Sequence, residues 1–149
     1  MFISNGTRLR RYLNVQREKP GTIEDIVLEH VRADVKPAPV SWYQGKVWAN
    51  AEGGVVLSGL PQNPIRRVTI RNCRFHMPGG RDEQPTGPVP VMGDQYPEFH
   101  LFDPLPAWGM YERDTEDTEL IDTVFTKRAP DVRPVLVKEE NEERKDAGL

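Results

Sequence analysis

The chain has 149 residues, 37% of them hydrophobic and 29% charged, with a formal net charge of −3; this is one domain's length with a lean core. The acidic balance argues against nonspecific nucleic-acid binding, which needs a strong positive field along the phosphates, and no apolar run approaches the ~20 residues of a membrane span. Fourteen prolines and twelve glycines exclude a helical bundle, because proline deletes a backbone donor and glycine costs conformational entropy inside regular elements.

The chain opens with "MFISNGTRLRRYLN", where charges follow a very short apolar start, so this stretch is not a secretion signal. Asn5 heads an N-x-T glycosylation pattern that arises easily by chance. Arg8 to Lys19 gathers four arginines and a lysine around Tyr12, which reads either as an anion groove or as a solvated terminus. Next comes "IEDIVLEHVRA", Ile23 to Ala33, and its frame returns in "IRRVTIRNCRF", Ile65 to Phe75, and in "TEDTELIDTVF", Thr115 to Phe125. The first, fourth, sixth and ninth positions are Ile23, Ile26, Leu28 and Val31, then Ile65, Val68, Ile70 and Cys73, and in the weaker third segment Thr115, Thr118, Leu120 and Thr123. This spacing fits neither period two nor period 3.6.

A helix accommodates Ile23, Ile26 and Val31 on one stripe, but the second segment resists it. Pro64 stands just before Ile65, and β-branched Val68, Thr69 and Ile70 lie together. Asn72 suits a bend, where it tolerates positive φ. Each segment therefore reads as bend, short strand, polar corner, short strand. Further strand candidates are Val40 to Ala49, Gly53 to Leu60 and Arg133 to Glu139. The expected fold class is all-β, and repeat starts 42 and 50 residues apart suit stacked coils with inserted loops better than a compact hairpin fold. The largest insertion is Pro78 to Trp108, and "YPEFHLFDPLPAWGMYER" (Tyr96 to Arg113) reads as an ordered loop whose aromatics cover a sheet. Residues 1–137 form the domain and 138–149 a charged tail.

The ordered set "GLPQNPIRRVTIRNCRF", "YPEFHLFDPLPAWGMYER" and "DTELIDTVFTKRAPDVRPVLV" resembles the C-terminal coils of glycoside hydrolase family 28, the polygalacturonase-like pectin hydrolases. In that family a G-x-P-x-x-P-I-x-x-I-x-I/L-x-N-V unit precedes a Y-P-E loop, an L-P-A-Y/W-G-x-Y/F-x-R-H run and a D-x-R-P ending. Gly59 to Cys73, Tyr96 to Glu98, Leu105 to Arg113 and Asp131 to Pro134 occupy those places, and Asp114 stands where the family has His. The resemblance implies a right-handed parallel β-helix, a solenoid with side-chain ladders inside. It also implies hydrolysis of α-linked galacturonosyl bonds with inversion, by carboxyls roughly 6.5–9.5 Å apart.

The family's N-T-D, D-D, G-H-G and R-I-K motifs occur nowhere in this chain. The expectation is a C-terminal part of such an enzyme with no catalytic residue of its own and inactive alone; the alternative is a noncatalytic carbohydrate-binding scaffold or an inactive fold remnant. An acidic polysaccharide, pectin or polygalacturonate, is the expected partner. Arg113, Tyr96 and His100 are the candidate substrate contacts. Localisation stays open, secreted or periplasmic if the chain belongs to a full-length pectinase. A solenoid cut across its axis would expose unpaired backbone and invite self-association.

Other constellations point to no further chemistry. His30, His76 and His100 lack neighbouring ligands at metal spacing, so neither metal nor cofactor is expected. Cys73, the single cysteine, cannot form an internal disulfide and reads as a buried rung position. Arg66, Arg67, Arg71 and Arg74 read as a basic patch or as outward strand positions. Arg133 is expected to bond backbone carbonyls or Asp131 at a corner.

Overall fold

The computed structural model describes residues 21–35, 54–91 and 104–140, together with the backbone of three short strands at Phe2–Ser4, Ser41–Tyr43 and Lys46–Trp48. Among these residues the structure is all-β and contains no helix. In chain order the strands are β1 (Phe2–Ser4), β2 (Glu24–Glu29), β3 (Arg32–Asp34), β4 (Ser41–Tyr43), β5 (Lys46–Trp48), β6 (Val55–Ser58), β7 (Ile65–Arg71), β8 (Arg74–Met77), β9 (Met110–Arg113), β10 (Thr115–Ile121), β11 (Val124–Lys127) and β12 (Leu136–Glu139).

They form three parallel sheets: sheet A in the order β1-β6-β9-β12, sheet B in the order β10-β7-β2, and sheet C in the order β11-β8-β3. The chain visits A, B and C in the same order on each pass, through β1, β2 and β3, then β6, β7 and β8, then β9, β10 and β11, before β12 returns to sheet A. Val40 to Ala49, read from sequence as one strand candidate, instead holds an antiparallel hairpin of β4 and β5 with Ser41 opposite Trp48. β12 runs to Glu139, past the expected start of the charged tail.

The three related segments lie side by side in register. Ile26, Val68 and Thr118 are partners across sheet B, as are Leu28, Ile70 and Leu120, and Ile65 pairs with Thr115. The odd spacing of their apolar positions has a conformational cause. Asp25, Arg67 and Asp117, the third residues of the segments, have φ of 57°, 51° and 54°, and the eighth residues His30, Asn72 and Asp122 have 58°, 53° and 46°. Each left-handed residue adds one step to the two-residue alternation of a strand. The inward face therefore runs from first to fourth position, then sixth, then ninth. Asn and Asp accept this conformation because their short side chains bond locally. Arg67 lacks that excuse and is braced from the adjoining rung, where it pairs with Glu24 at 2.8 Å and Asp25 at 2.6 Å.

The inward positions build one core. Val55, Leu57, Ile65, Val68, Ile70, Cys73, Phe75, Met77 and Met110 are all buried, and Ile23, Ile26, Leu28, Val31, Ala33 and Val35 pack against them half-buried. Phe75 and Phe125 stack with ring centroids 5.2 Å apart. The corner after sheet B is tied by side chains: the Cys73 thiol lies 3.7 Å from the Leu28 carbonyl, and the Thr123 hydroxyl donates to the Ile70 carbonyl at 2.9 Å. Both join the ninth position of one rung to the sixth of its neighbour, so Cys73 is a buried rung residue as its sequence context implied.

Gly59 makes the turn from sheet A to sheet B possible. A Cβ there would stand 2.1 Å from the Asp114 carbonyl oxygen of the next rung, and the Gly59 N–H donates to the Arg113 carbonyl at 2.8 Å. Pro61 and Gln62 then fill a tight turn closed by Leu60 and Asn63, while the Asn63 side-chain amide donates to the Gly21 carbonyl at 2.7 Å.

Candidate functional site: the covered face of sheet A

The two central strands of sheet A, β6 and β9, are buried on both sides. Val55, Leu57 and Met110 face the core, whereas Val56 and Tyr111, of opposite parity, pack with Val89, Leu105 and the half-buried Val137 on the outer side. Part of the Pro-rich insertion thus lies over sheet A. Leu105 and Val89 carry this contact among the described residues, while Tyr111 belongs to β9 beneath them, not to the loop. Trp108 packs against the core cluster, with the Lys127 ammonium 5.0 Å from its ring centroid.

Arg113 is the cation at the centre of this face, and 3% of it is exposed. Its guanidinium donates to the Val89 carbonyl at 2.7 Å, the Pro90 carbonyl at 2.8 Å and the Ser58 hydroxyl at 3.2 Å, and lies 6.0 Å from the centroid of the Tyr111 ring. Its buried Nε finds no partner among the described residues. In this arrangement Arg113 fastens residues 89–90 to the sheet. Tyr111 donates its hydroxyl to Glu139 at 2.8 Å. Burial pushes its ionisation well above the usual 10; Arg113 opposes that shift and the Glu139 carboxylate adds to it, so the hydroxyl keeps its proton. Tyr96 and His100, the other candidate contacts, lie outside the described residues, as do Asn5 and the basic Arg8 to Lys19 segment.

A second buried knot holds the insertion at its far end. Arg133 grips Asp131 through two parallel bonds, Nε to Oδ1 at 2.9 Å and Nη2 to Oδ2 at 2.7 Å, and donates from Nη1 to the Leu105 carbonyl at 3.0 Å. The Arg81 N–H reaches the same carboxylate at 3.2 Å. This is the corner role expected of Arg133. Burial works to raise the Asp131 carboxyl, but bonds from Arg133 and Arg81 outweigh it and hold the group below its usual 3.8.

The basic patch expected at Arg66, Arg67, Arg71 and Arg74 is divided between two sheets. On sheet B, Arg66 meets Glu116 at 2.7 Å, Arg67 meets Glu24 and Asp25, and Arg71 meets Glu29 at 2.6 Å. The Asp25 carboxyl is held below 3.8 chiefly by its hydrogen bond from Arg67. These are charge ladders between rungs, worth little each at an exposed surface. Arg74 stands on sheet C. Ser58 and Glu139, which sequence reasoning did not single out, join the covered face through register: Ser58 pairs with Arg113, and Arg113 with Glu139.

Among the described residues no group of three or more His, Cys, Asp or Glu side chains is placed to hold a metal ion, and no helix is long and apolar enough to cross a membrane. No protein-family model, curated protein or solved structure matches the chain.

Proposed function

We propose that the chain forms the C-terminal coils of a right-handed parallel β-helix of the polygalacturonase-like type, that it engages acidic polysaccharide such as pectin, and that it does not hydrolyse it alone. The observation that carries this reading is the agreement between motif order and stacking. The three repeat segments pair in parallel at the positions where their frames align, Ile26 with Val68 with Thr118, and the second and third of them carry motifs quoted for the family resemblance. The G-x-P unit has a steric reason in the close approach to Gly59, and the D-x-R-P ending is a buried corner built on Asp131 and Arg133.

The substrate-facing surface in this reading is the insertion that begins over sheet A, with Tyr96 and His100 as contacts and Arg113 anchoring the loop's earlier part at Val89 and Pro90. Without an acid pair, such a surface binds sugar faces by stacking and hydrogen bonding and leaves the glycosidic bond intact. The test measures two things on the purified chain: association with oligogalacturonate by calorimetry, and release of reducing ends from polygalacturonate. Binding without turnover is expected. Robust turnover would overturn the noncatalytic assignment, and absence of binding would overturn the polysaccharide one.

A further inference from the structure

Sheet C carries a groove of about 260 Å³ on the molecule's flank, apart from the covered face of sheet A. Two side-chain columns line it. Arg32, Arg74 and Val124 are register partners across β3, β8 and β11, and Asp34, His76 and Thr126 form the parallel column two residues on. Ala33 and Phe75 line it between them.

The two columns differ in charge balance. Asp34 forms an ion pair with Arg128, just outside the column, and His76 Nδ1 lies 2.7 Å from the Thr126 hydroxyl, so each member of that column has a partner. Arg32 and Arg74 sit side by side on adjacent parallel strands, roughly 4.8 Å apart along the sheet, and neither side chain has a partner among the described residues. Sheet B shows the contrast: at Arg71 the neighbouring rung supplies Glu29, and at Arg66 it supplies Glu116. Like charges placed directly opposite on neighbouring strands disfavour the pairing, and an oxyanion between them would reverse that sign. Guanidinium groups present planar forks matched to carboxylate and sulfate oxygens.

We propose that Arg32 and Arg74 form an oxyanion-binding site on sheet C that takes a carboxylate or sulfate group, free or carried on a small ring. The groove's volume of about 260 Å³ has room for one such ring. The site stands independently of the polysaccharide reading, because it requires no sugar.

The experiment is an amide-resolved NMR titration of the whole chain at constant ionic strength, with sodium sulfate, sodium galacturonate and neutral galactose as separate probes. Saturable shifts at Arg32 to Asp34 and Arg74 to His76 are expected with at least one anion and not with galactose. Sulfate alone would assign the site to inorganic oxyanions, and galacturonate, with or without sulfate, to ring-borne carboxylates; either supports the proposal. Arg32→Gln or Arg74→Gln should weaken binding about tenfold, as expected for the loss of one charge-assisted bond. The double variant should abolish it, and Arg66→Gln, on sheet B, should leave it unchanged. Unsaturable shifts, shifts centred elsewhere, or a double variant that titrates like the wild type would overturn the proposal. Wild-type mapping decides the matter even if a variant fails to fold.

Discussion

The middle and final passes through sheets A, B and C share one backbone path but turn partly different chemistry inward. In the middle pass the inward residues include Leu57, Ile65, Val68, Cys73 and Met77, all buried. Opposite these in the last pass stand Glu112, Thr115, Thr118, Thr123 and the exposed Lys127, while Leu120 and Phe125 stay apolar opposite Ile70 and Phe75. Glu112 is buried and bonded, accepting from the Thr115 hydroxyl at 2.7 Å with the Lys138 ammonium 3.7 Å away. The first pass is again apolar inside, through Ile23, Ile26, Leu28, Val31, Ala33 and Val35, but only half-buried. The same trace is thus held by apolar contact at one level and by apolar contact with added polar ties at another, so backbone register and interior chemistry are separable.

That separation can be attacked from both sides. Asp131→Ala strips a buried carboxylate from Arg133, whose side chain is 3% exposed; leaving that cation uncompensated should cost about 3–5 kcal/mol in urea unfolding. On the apolar side, Ile70→Ala removes a fully buried middle-pass side chain and should cost about 2–5 kcal/mol. Near-equal losses would show that polar ties and burial contribute comparably, whereas a negligible loss for Asp131→Ala would demote the corner knot to decoration.

Thr115→Val, isosteric but unable to donate, leaves buried Glu112 without its short hydrogen bond and should cost about 1–3 kcal/mol. Stabilisation instead would mean that the polar interior of the last pass is tolerated and not required. The smallest effects belong to the column that shares Ile70's register. Leu28→Ala, half-buried, should lose about 1–2 kcal/mol, and Leu120→Ala, at 39% exposure, under about 1 kcal/mol. Any other ranking along Leu28, Ile70 and Leu120 would contradict the burial gradient.

Acidity gives a further handle on the polar ties. The Asp131 carboxyl sits below 3.8 in the folded chain, so its contribution is fully present above that pH and is lost as pH falls through the lower folded value. Unfolding free energies compared between pH 6 and pH 3 should drop more steeply for the wild type than for Asp131→Asn. Parallel slopes would remove Asp131 from the acid response.

Much of the stacking was legible because burial prints itself on residue type. Ile23, Ile65 and the positions that follow them share a frame in the bare sequence, and Asn72 announced its own bend. Other features left no such mark. Arg67 adopts a left-handed conformation without the side chain that usually signals one, since its support comes from Glu24 and Asp25 on another rung. The β4–β5 hairpin hid inside what reads as a single strand. Arg113 was singled out for its motif and not for its surroundings, because its acceptors at Val89 and Pro90 are carbonyl oxygens, which every residue carries. The polar interior of the last pass was visible as three threonines in the frame, but not the burial of Glu112.

The paired columns of left-handed residues at 25, 67 and 117 and at 30, 72 and 122 have an evolutionary corollary. They confine the geometry that must repeat to a short block in each pass, and the joints outside those blocks are released from any length rule. Segments of quite different size already separate successive blocks, and Gly87, with φ of 98° and open space around it, lies in one of them. Growth or trimming of such joints is therefore a route by which this scaffold can acquire new surfaces while its repeating blocks stay fixed.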